Sequence, residues 1–226
     1  TIIKDELASH YTSKSILSWL QKMADSYQIE EDEELLTVLT REGSIIIEDT
    51  DNNIEDDTNQ LLKLAKLCAQ TNLSIASHDF LRSNDEAIYN YGNVAFLTNF
   101  GYEWDEFVEL PSSKCVATKE DVEERQKLLD ARLLNNKVSS SSNKNDTDDD
   151  TQYDNLIRVR KDGTQIVLKG VHLWNVYDIT LQQKEEQDEG SSTSEEVRRI
   201  RRQIEQGEIK AIGQAVWIRN VEPLED

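Results

Sequence analysis

The sequence predicts an α+β fold: a five-stranded antiparallel sheet with helices on one face and a further helical layer from the N-terminal residues. Three observations predict it. Ala87, Ile88, Tyr89 and Tyr91 form a β-prone run ending at Gly92, after which Asn93 can cap a short helix carrying Val94, Phe96, Leu97 and Phe100. Two β-prone runs, residues 153–160 and 164–179, are joined by Lys161-Asp162-Gly163, and Asp-Gly between such runs is a hairpin signal. Residues 58–70 carry Leu61, Leu62, Leu64, Ala65, Leu67 and Cys68 on one face and Lys63 and Lys66 on the other, the pattern of an amphipathic helix.

Each element follows from its local chemistry. Residues 4–28 read as helical, with an apolar stripe through Tyr11, Ile16, Leu20, Met23 and Tyr27 and a phase shift at Thr12-Ser13, either of which can cap a second helix. Residues 30–34 are all acidic, and a short apolar run from Leu35 to Leu39 follows. Ile45 to Ile47 is β-prone but precedes an acidic stretch, residues 48–57, which reads as a loop. The helix over 58–70 is expected to be capped by Thr58. Residues 73–80 alternate as a first strand and 87–91 form the second. Gly101 suits a left-handed helix end, and acidic residues from Glu103 to Glu106 suit the first turn of the next helix. Residues 119–136 predict another helix, and residues 137–151, polar and of low complexity, an inserted disordered stretch. A second insertion, 182–208, is expected to contain a helix from Ser194, and residues 211–221 read as the last strand.

Several short motifs share one order. Ser77-His78, Tyr91-Gly92-Asn93, Trp104-Asp105-Glu106-Phe107, Leu110-Pro111-Ser112 and Arg125 with Leu128-Leu129 come first. Ile157-Arg158, Asp162-Gly163-Thr164, Val171 with Trp174-Asn175, and Gly213-Gln214-Ala215 follow. Together they resemble the MEKHLA domain, a PAS-like fold, over about residues 73–219. The hexapeptide that names the domain is absent, and the two insertions interrupt the pattern. The resemblance implies that Ser77, His78, Tyr91, Gly92, Asn93, Pro111, Trp174, Asn175, Gly213 and Gln214 serve the fold. It divides the chain into a helical extension, 1–70, a PAS-like domain, 71–221, and a short tail, 222–226. It also implies an apolar outer sheet face, for which the N-terminal helices are the natural cover.

Composition limits the function. With 25 basic and 45 acidic residues the net charge is −20, which argues against general binding to nucleic acid or an anionic membrane. No apolar run is long enough to span a bilayer, so membrane association would run through a partner. Two distant cysteines, Cys68 and Cys115, fit a reducing compartment, although one disulfide between them stays open. The chain starts at Thr1 rather than Met, so a leader is expected to have been removed.

Candidate chemistry is sparse. Cys115 follows the Gly101-Tyr102 turn, as a reactive cysteine does in flavin-binding light sensors of PAS type. The asparagine, arginine and glutamine that hold the flavin in those proteins have no counterpart around it, so no cofactor is expected. His78-Asp79 and His172 with Cys115 are the candidates for a Cys-His-Asp nucleophilic set, and the three histidines and two cysteines have no metal-ligand spacing. An aromatic-lined pocket between the sheet and residues 93–110 would draw on Tyr91, Phe96, Phe100, Trp174 and Trp217, which otherwise pack as core. Arg198, Arg199, Arg201 and Arg202 form a basic cluster flanked by Glu195, Glu196, Glu205 and Glu208, the pattern of salt bridges along a helix. The expected function is therefore non-enzymatic. It is a regulatory module binding a protein partner, with a small ligand in its pocket. The alternative is an accessory subunit docked on a larger, photosynthetic assembly. The chain has no homeodomain or heptads, so it resembles the free-standing cyanobacterial type. Acidic insertions point to a eukaryotic version in the plastid stroma, or otherwise in the cytoplasm.

Overall fold

A computed structural model describes residues 9–43, 57–80, 86–116, 152–153, 156–179 and 193–224. The expected helix over 119–136, the insertion 137–151, Ile45 to Ile47 and nearly all of the acidic stretch 48–57 lie outside the described residues. The described elements are α1 (Lys14–Glu31), α2 (Leu35–Glu42), α3 (Asp57–Gln70), β1 (Ser74–Asp79), β2 (Ile88–Gly92), α4 (Val94–Phe100), α5 (Trp104–Phe107), a 3-10 turn (Ser112–Cys115), β3 (Gln152–Tyr153), β4 (Leu156–Val159), β5 (Gln165–Tyr177), α6 (Thr193–Glu205) and β6 (Ala211–Pro223).

The sheet runs β2-β1-β6-β5, with β3 and β4 both paired to β5, and every pairing is antiparallel. The expected third strand is thus two short strands against one long partner. This is the α+β architecture and strand order that the PAS-like reading implies. Long β5 and β6 carry the sheet, from Ile166 opposite Pro223 to Tyr177 opposite Ala211. Midway, both strands change the face on which alternate residues fall. Leu168 and Val171 share the inner face with their partners Val221 and Ile218, because Gly170 takes a φ of 60°.

The two faces bury different clusters. On the outer face, α1 to α3 cover the sheet. Leu20, Met23, Tyr27, Leu39 and Cys68 pack against Ile75, Tyr91, Trp174 and Trp217. On the inner face, α4 and α5 bring Phe96, Leu97, Phe100 and Phe107 onto Ala76, Tyr89, Leu168, Val171 and Ile218. A third, smaller cluster joins α6 to the end of α1 and to Tyr177 through Ile29, Val197, Ile200 and Ile204. The N-terminal helices therefore share a core with the sheet.

Capping chemistry fixes the helix ends. Ser13 accepts from the N–H of Ile16 at the start of α1, and Asp32 ends that helix in the left-handed region. Helix α3 begins at Asp57, one residue before the expected cap at Thr58. Asn93 caps α4 by accepting from the N–H of Phe96, and Gly101, at φ 76°, closes it. The hairpin tip docks on that end, with Lys161 N–H donating to the carbonyl of Phe100 at 3.0 Å.

Both lateral edges of the sheet find partners over part of their length. Residues 109–112 run beside β2, with Tyr89 N–H donating to Leu110, Glu109 N–H to Tyr89 and Ser112 N–H to Ala87, and with Pro111 opposite Ile88. On the other side, β5 continues beyond β3 and α1 supplies side-chain acceptors. Asn175 N–H donates to the Glu30 carboxylate at 3.2 Å and Tyr177 N–H to Ser26 Oγ at 2.9 Å.

Candidate functional site

The inner face carries a cavity of about 80 Å³ between the sheet and α4. Strand alternation decides what faces it. On β1, Ala76 and His78 line it while Ile75 points to the outer cluster. On β6, Gln214, Val216 and Ile218 line it while Trp217 points outward. Leu168, Val171 and Leu173 of β5 and Leu156 and Arg158 of β4 complete the sheet side. Phe96 and Phe100 of α4 close it from above, stacked on each other at 4.1 Å between centroids. Tyr89 supports them, stacked on Phe107 at 4.3 Å.

The five aromatics expected to line a pocket divide between the faces. Phe96 and Phe100 line the cavity; Tyr91, Trp174 and Trp217 lie on the outer face under the N-terminal helices. Alternation makes this unavoidable, because Trp174 and Trp217 neighbour the inward Leu173 and Val216. Trp174 donates its indole N–H to the carbonyl of Met23 at 3.1 Å and meets Tyr27 edge-on. Trp217 stacks on His172 at 5.1 Å. Tyr91 lies fully buried beside Tyr11 and Trp104, and burial, then the Cys68 thiol and Tyr11, hold its phenol well above its ordinary range.

Besides Ser77, three nitrogen-bearing residues that sequence reasoning did not assign to the pocket bring polarity to it. His78, Gln214 and Asn175 are consecutive register partners across β1, β6 and β5, and the first two line the cavity. Gln214 Nε2 donates to Asn175 Oδ1 at 3.0 Å. Asn175 Nδ2 donates to the Tyr177 hydroxyl at 3.4 Å, which donates to Glu30 Oε1 at 2.9 Å. A line of hydrogen bonds therefore runs from the cavity wall to α1. Arg158, half-buried, is the third. A glutamine within the apolar run AIGQAVWI was the available signal. Nothing in a half-buried strand arginine distinguishes it by sequence.

The fold-signature residues have specific places. Ser77 Oγ accepts from the Trp19 indole at 2.8 Å and donates to Asn90 Oδ1 at 2.7 Å, and Asn90 in turn donates to Asp79. Gly92 and Gly213 sit at close approaches: a Cβ on Gly92 would meet the Phe107 ring at 2.8 Å, and one on Gly213 would clash with the carbonyl of His78. Asn93 joins α3, β1 and α4 at once.

The candidate nucleophilic residues are not brought together. His78 faces the cavity, and His172 lies beyond the sheet against Trp217 and Tyr27, 3.4 Å from a Glu31 oxygen. Cys115 is buried in the inner cluster beside Tyr102, whose phenol burial and the thiol push up. Neither Cys68 nor Cys115 is in a disulfide, and burial pushes the Cys68 thiol up to about 12. No group of residues able to hold a metal ion occurs among the described residues, and no described helix is long and apolar enough to cross a membrane. The basic cluster of α6 engages its own chain: Arg201 donates to the carbonyl of Ile29 and to Asp32, and Arg199 pairs with Glu196.

At about 80 Å³ the cavity is far smaller than sites for drug-sized molecules, which run to roughly 300–1,000 Å³. It suits a molecule of a few heavy atoms.

Residues 17–187 match the model of the MEKHLA domain family. No curated protein matches the chain. Among solved structures, the chain is similar to the PAS domain of a protein from Colwellia psychrerythraea, at 13% identity over 72% of this chain and 98% of that one, with a TM-score of 0.39. It is also similar to a LOV protein of Rhodobacter sphaeroides, at 12% identity over 74% and 68% of the two chains, with a TM-score of 0.42. A third similar structure is the LOV domain of a blue-light activated histidine kinase from Erythrobacter litoralis EL346, at 16% identity over 68% and 97%, with a TM-score of 0.34.

Proposed function

The chain belongs to the MEKHLA domain family, and from that premise we propose that it is a non-enzymatic regulatory module, binding a small ligand in its inner cavity and a protein partner on its surface. The observation that carries this reading is the cavity itself. Its walls are apolar and its few polar groups converge, the composition of a binding pocket. The hydrogen bonds from Gln214 through Asn175 and Tyr177 to Glu30 give its occupancy a physical route to α1. A ligand that competes for the Gln214 amide changes what Asn175 and Tyr177 must satisfy. Separation of His78, His172 and Cys115 supports a binding role over a catalytic one. A Cys115→Ser chain that retains every measured behaviour would agree with this.

The alternative is an accessory subunit of a larger photosynthetic assembly in the plastid stroma. It would need a docking surface other than α1 to α3, whose apolar faces are already buried on the chain's own sheet. Native size fractionation of the source extract, following the protein together with visible absorbance, separates the two. Elution at monomer size, or with one colourless partner, supports the module. Elution in a large pigmented particle overturns it in favour of the subunit.

A further inference from the structure

We propose that the inner cavity takes a small, neutral, apolar molecule of about three or four heavy atoms, held by contact with Phe96, Phe100, Leu168, Val171 and Ile218 rather than by hydrogen bonds. This rests on the reading of the cavity as a ligand site and names the class of ligand.

The depth of the cavity is hydrocarbon. Ala76, Phe96, Phe100, Leu168, Val171 and Ile218 line it and are all buried, and the two phenylalanines present a stacked pair of rings. The polar residues of the wall are engaged with the chain itself. Ser77 Oγ bridges the Trp19 indole and Asn90. Gln214 Nε2 donates to Asn175, and Arg158 Nη1 donates to the carbonyl of Ile157. The His78 ring packs against Phe80 and Tyr89. A charged ligand entering here gives up its hydration and competes with contacts already made, whereas an apolar one leaves water at a gain. Such a ligand reaches the Gln214–Asn175 bond by packing against the glutamine rather than by bonding to it.

The mouth has the same character. Leu156, Arg158, Leu173 and Val216 are the half-buried members of the lining, so the side chains beside solvent are also mainly apolar. Volume sets the size. An apolar cavity of about 150 Å³ takes benzene, and this one is about 80 Å³. A molecule the size of propane or butane fits, whereas nucleotides and long-chain lipids do not.

The test follows methyl and amide resonances of the full chain by NMR at neutral pH. Xenon, propane and butane are admitted under pressure, with butyrate and butylammonium as charged comparators. The three neutral probes are expected to shift the Leu168, Val171 and Ile218 signals saturably. Butane should bind about fourfold more tightly than propane, because it buries one more methylene. Butyrate and butylammonium should bind at least about tenfold more weakly than butane. Ala76→Val and Val171→Phe fill the cavity from β1 and from β5, and either one that keeps the fold should weaken butane at least about tenfold. If neither folds, the comparison of neutral with charged probes on the unaltered chain decides. A charged probe that binds as tightly as butane overturns the apolar class and leaves the ligand-site reading standing. Entry of xenon without either hydrocarbon does the same. Butane binding that survives in a folded filling variant lies elsewhere and also overturns the proposal. Exclusion of every probe overturns the ligand-site reading as well.

Discussion

Asn93 shows how much one side chain can hold. Its carbonyl oxygen accepts from the N–H groups of Ile75 and Phe96, and its amide donates to the carbonyls of Cys68 and Leu73, all within 2.8–2.9 Å and fully buried. Asn93→Ala leaves four buried backbone groups without that partner and should cost about 3–5 kcal/mol in urea unfolding. Asn93→Asp keeps the acceptors but sets a carboxylate against two carbonyls, so it should be no better than alanine. Its role as a helix cap was legible, because capping is a contact between neighbours. The bonds to Ile75, Leu73 and Cys68 were not, because they join residues 18–25 positions away. The nearby Cys68 makes a prediction of opposite kind. Its thiol pKa is raised by burial to about 12, above the roughly 8.5 of an unfolded thiol. Stability from this group is therefore complete below the unfolded value and is lost as pH rises toward the folded one. The urea midpoint should hold to about pH 8.5 and then fall, and Cys68→Ala should fall less between about pH 8.5 and 10, before unfolded tyrosines ionise. An identical slope in the two proteins would show that the thiol does not report folding.

Among the elements, the strands were the most legible and the faces they present the least. Alternation in residues 73–80 and 211–221, and the Asp162-Gly163 turn, located the sheet because those signals are local. Alternation states that Trp174 and Leu173 face opposite ways, but not which way is inward. That depends on α1, whose carbonyl at Met23 takes the Trp174 N–H. Gly170 adds a second obstacle, since the change of face there breaks the count along both long strands. Three of the five aromatics expected around the cavity therefore belong to the outer core, and His78, Gln214 and Arg158 supply the cavity's polarity instead. Trp174 is fully buried, so Trp174→Ala should cost about 3–5 kcal/mol by denaturant unfolding, through cavity formation and loss of the bond to α1. A loss below about 1 kcal/mol would mean that the helix does not seal this face.

At the scale of the whole molecule, the question is whether the sheet and its inner helices form a unit without the N-terminal residues. The sequence motifs place a boundary near residue 70, and the family match instead begins at Leu17, inside α1. The packing favours one body. The outer face presents Ile75, Tyr91, Trp174, Val176 and Trp217, all buried only because α1 to α3 cover them. Removing residues 1–70 also takes away Ser26 and Glu30, which satisfy the N–H groups of Tyr177 and Asn175, and the Cys68 carbonyl that Asn93 uses. A chain beginning at residue 71 would therefore expose a contiguous apolar surface and unmatched backbone donors together, and either alone favours association over a fixed fold. It should elute as aggregates or give a collapsed NMR spectrum, and co-expression with residues 1–70 should recover a soluble, dispersed species. A monomeric fragment with sharp, dispersed resonances would show instead that the inner cluster of Phe96, Phe100, Phe107 and Leu168 carries the fold. The outer helices would then be free to detach, and the hydrogen bonds from Gln214 to Glu30 would become the contacts that such a detachment breaks.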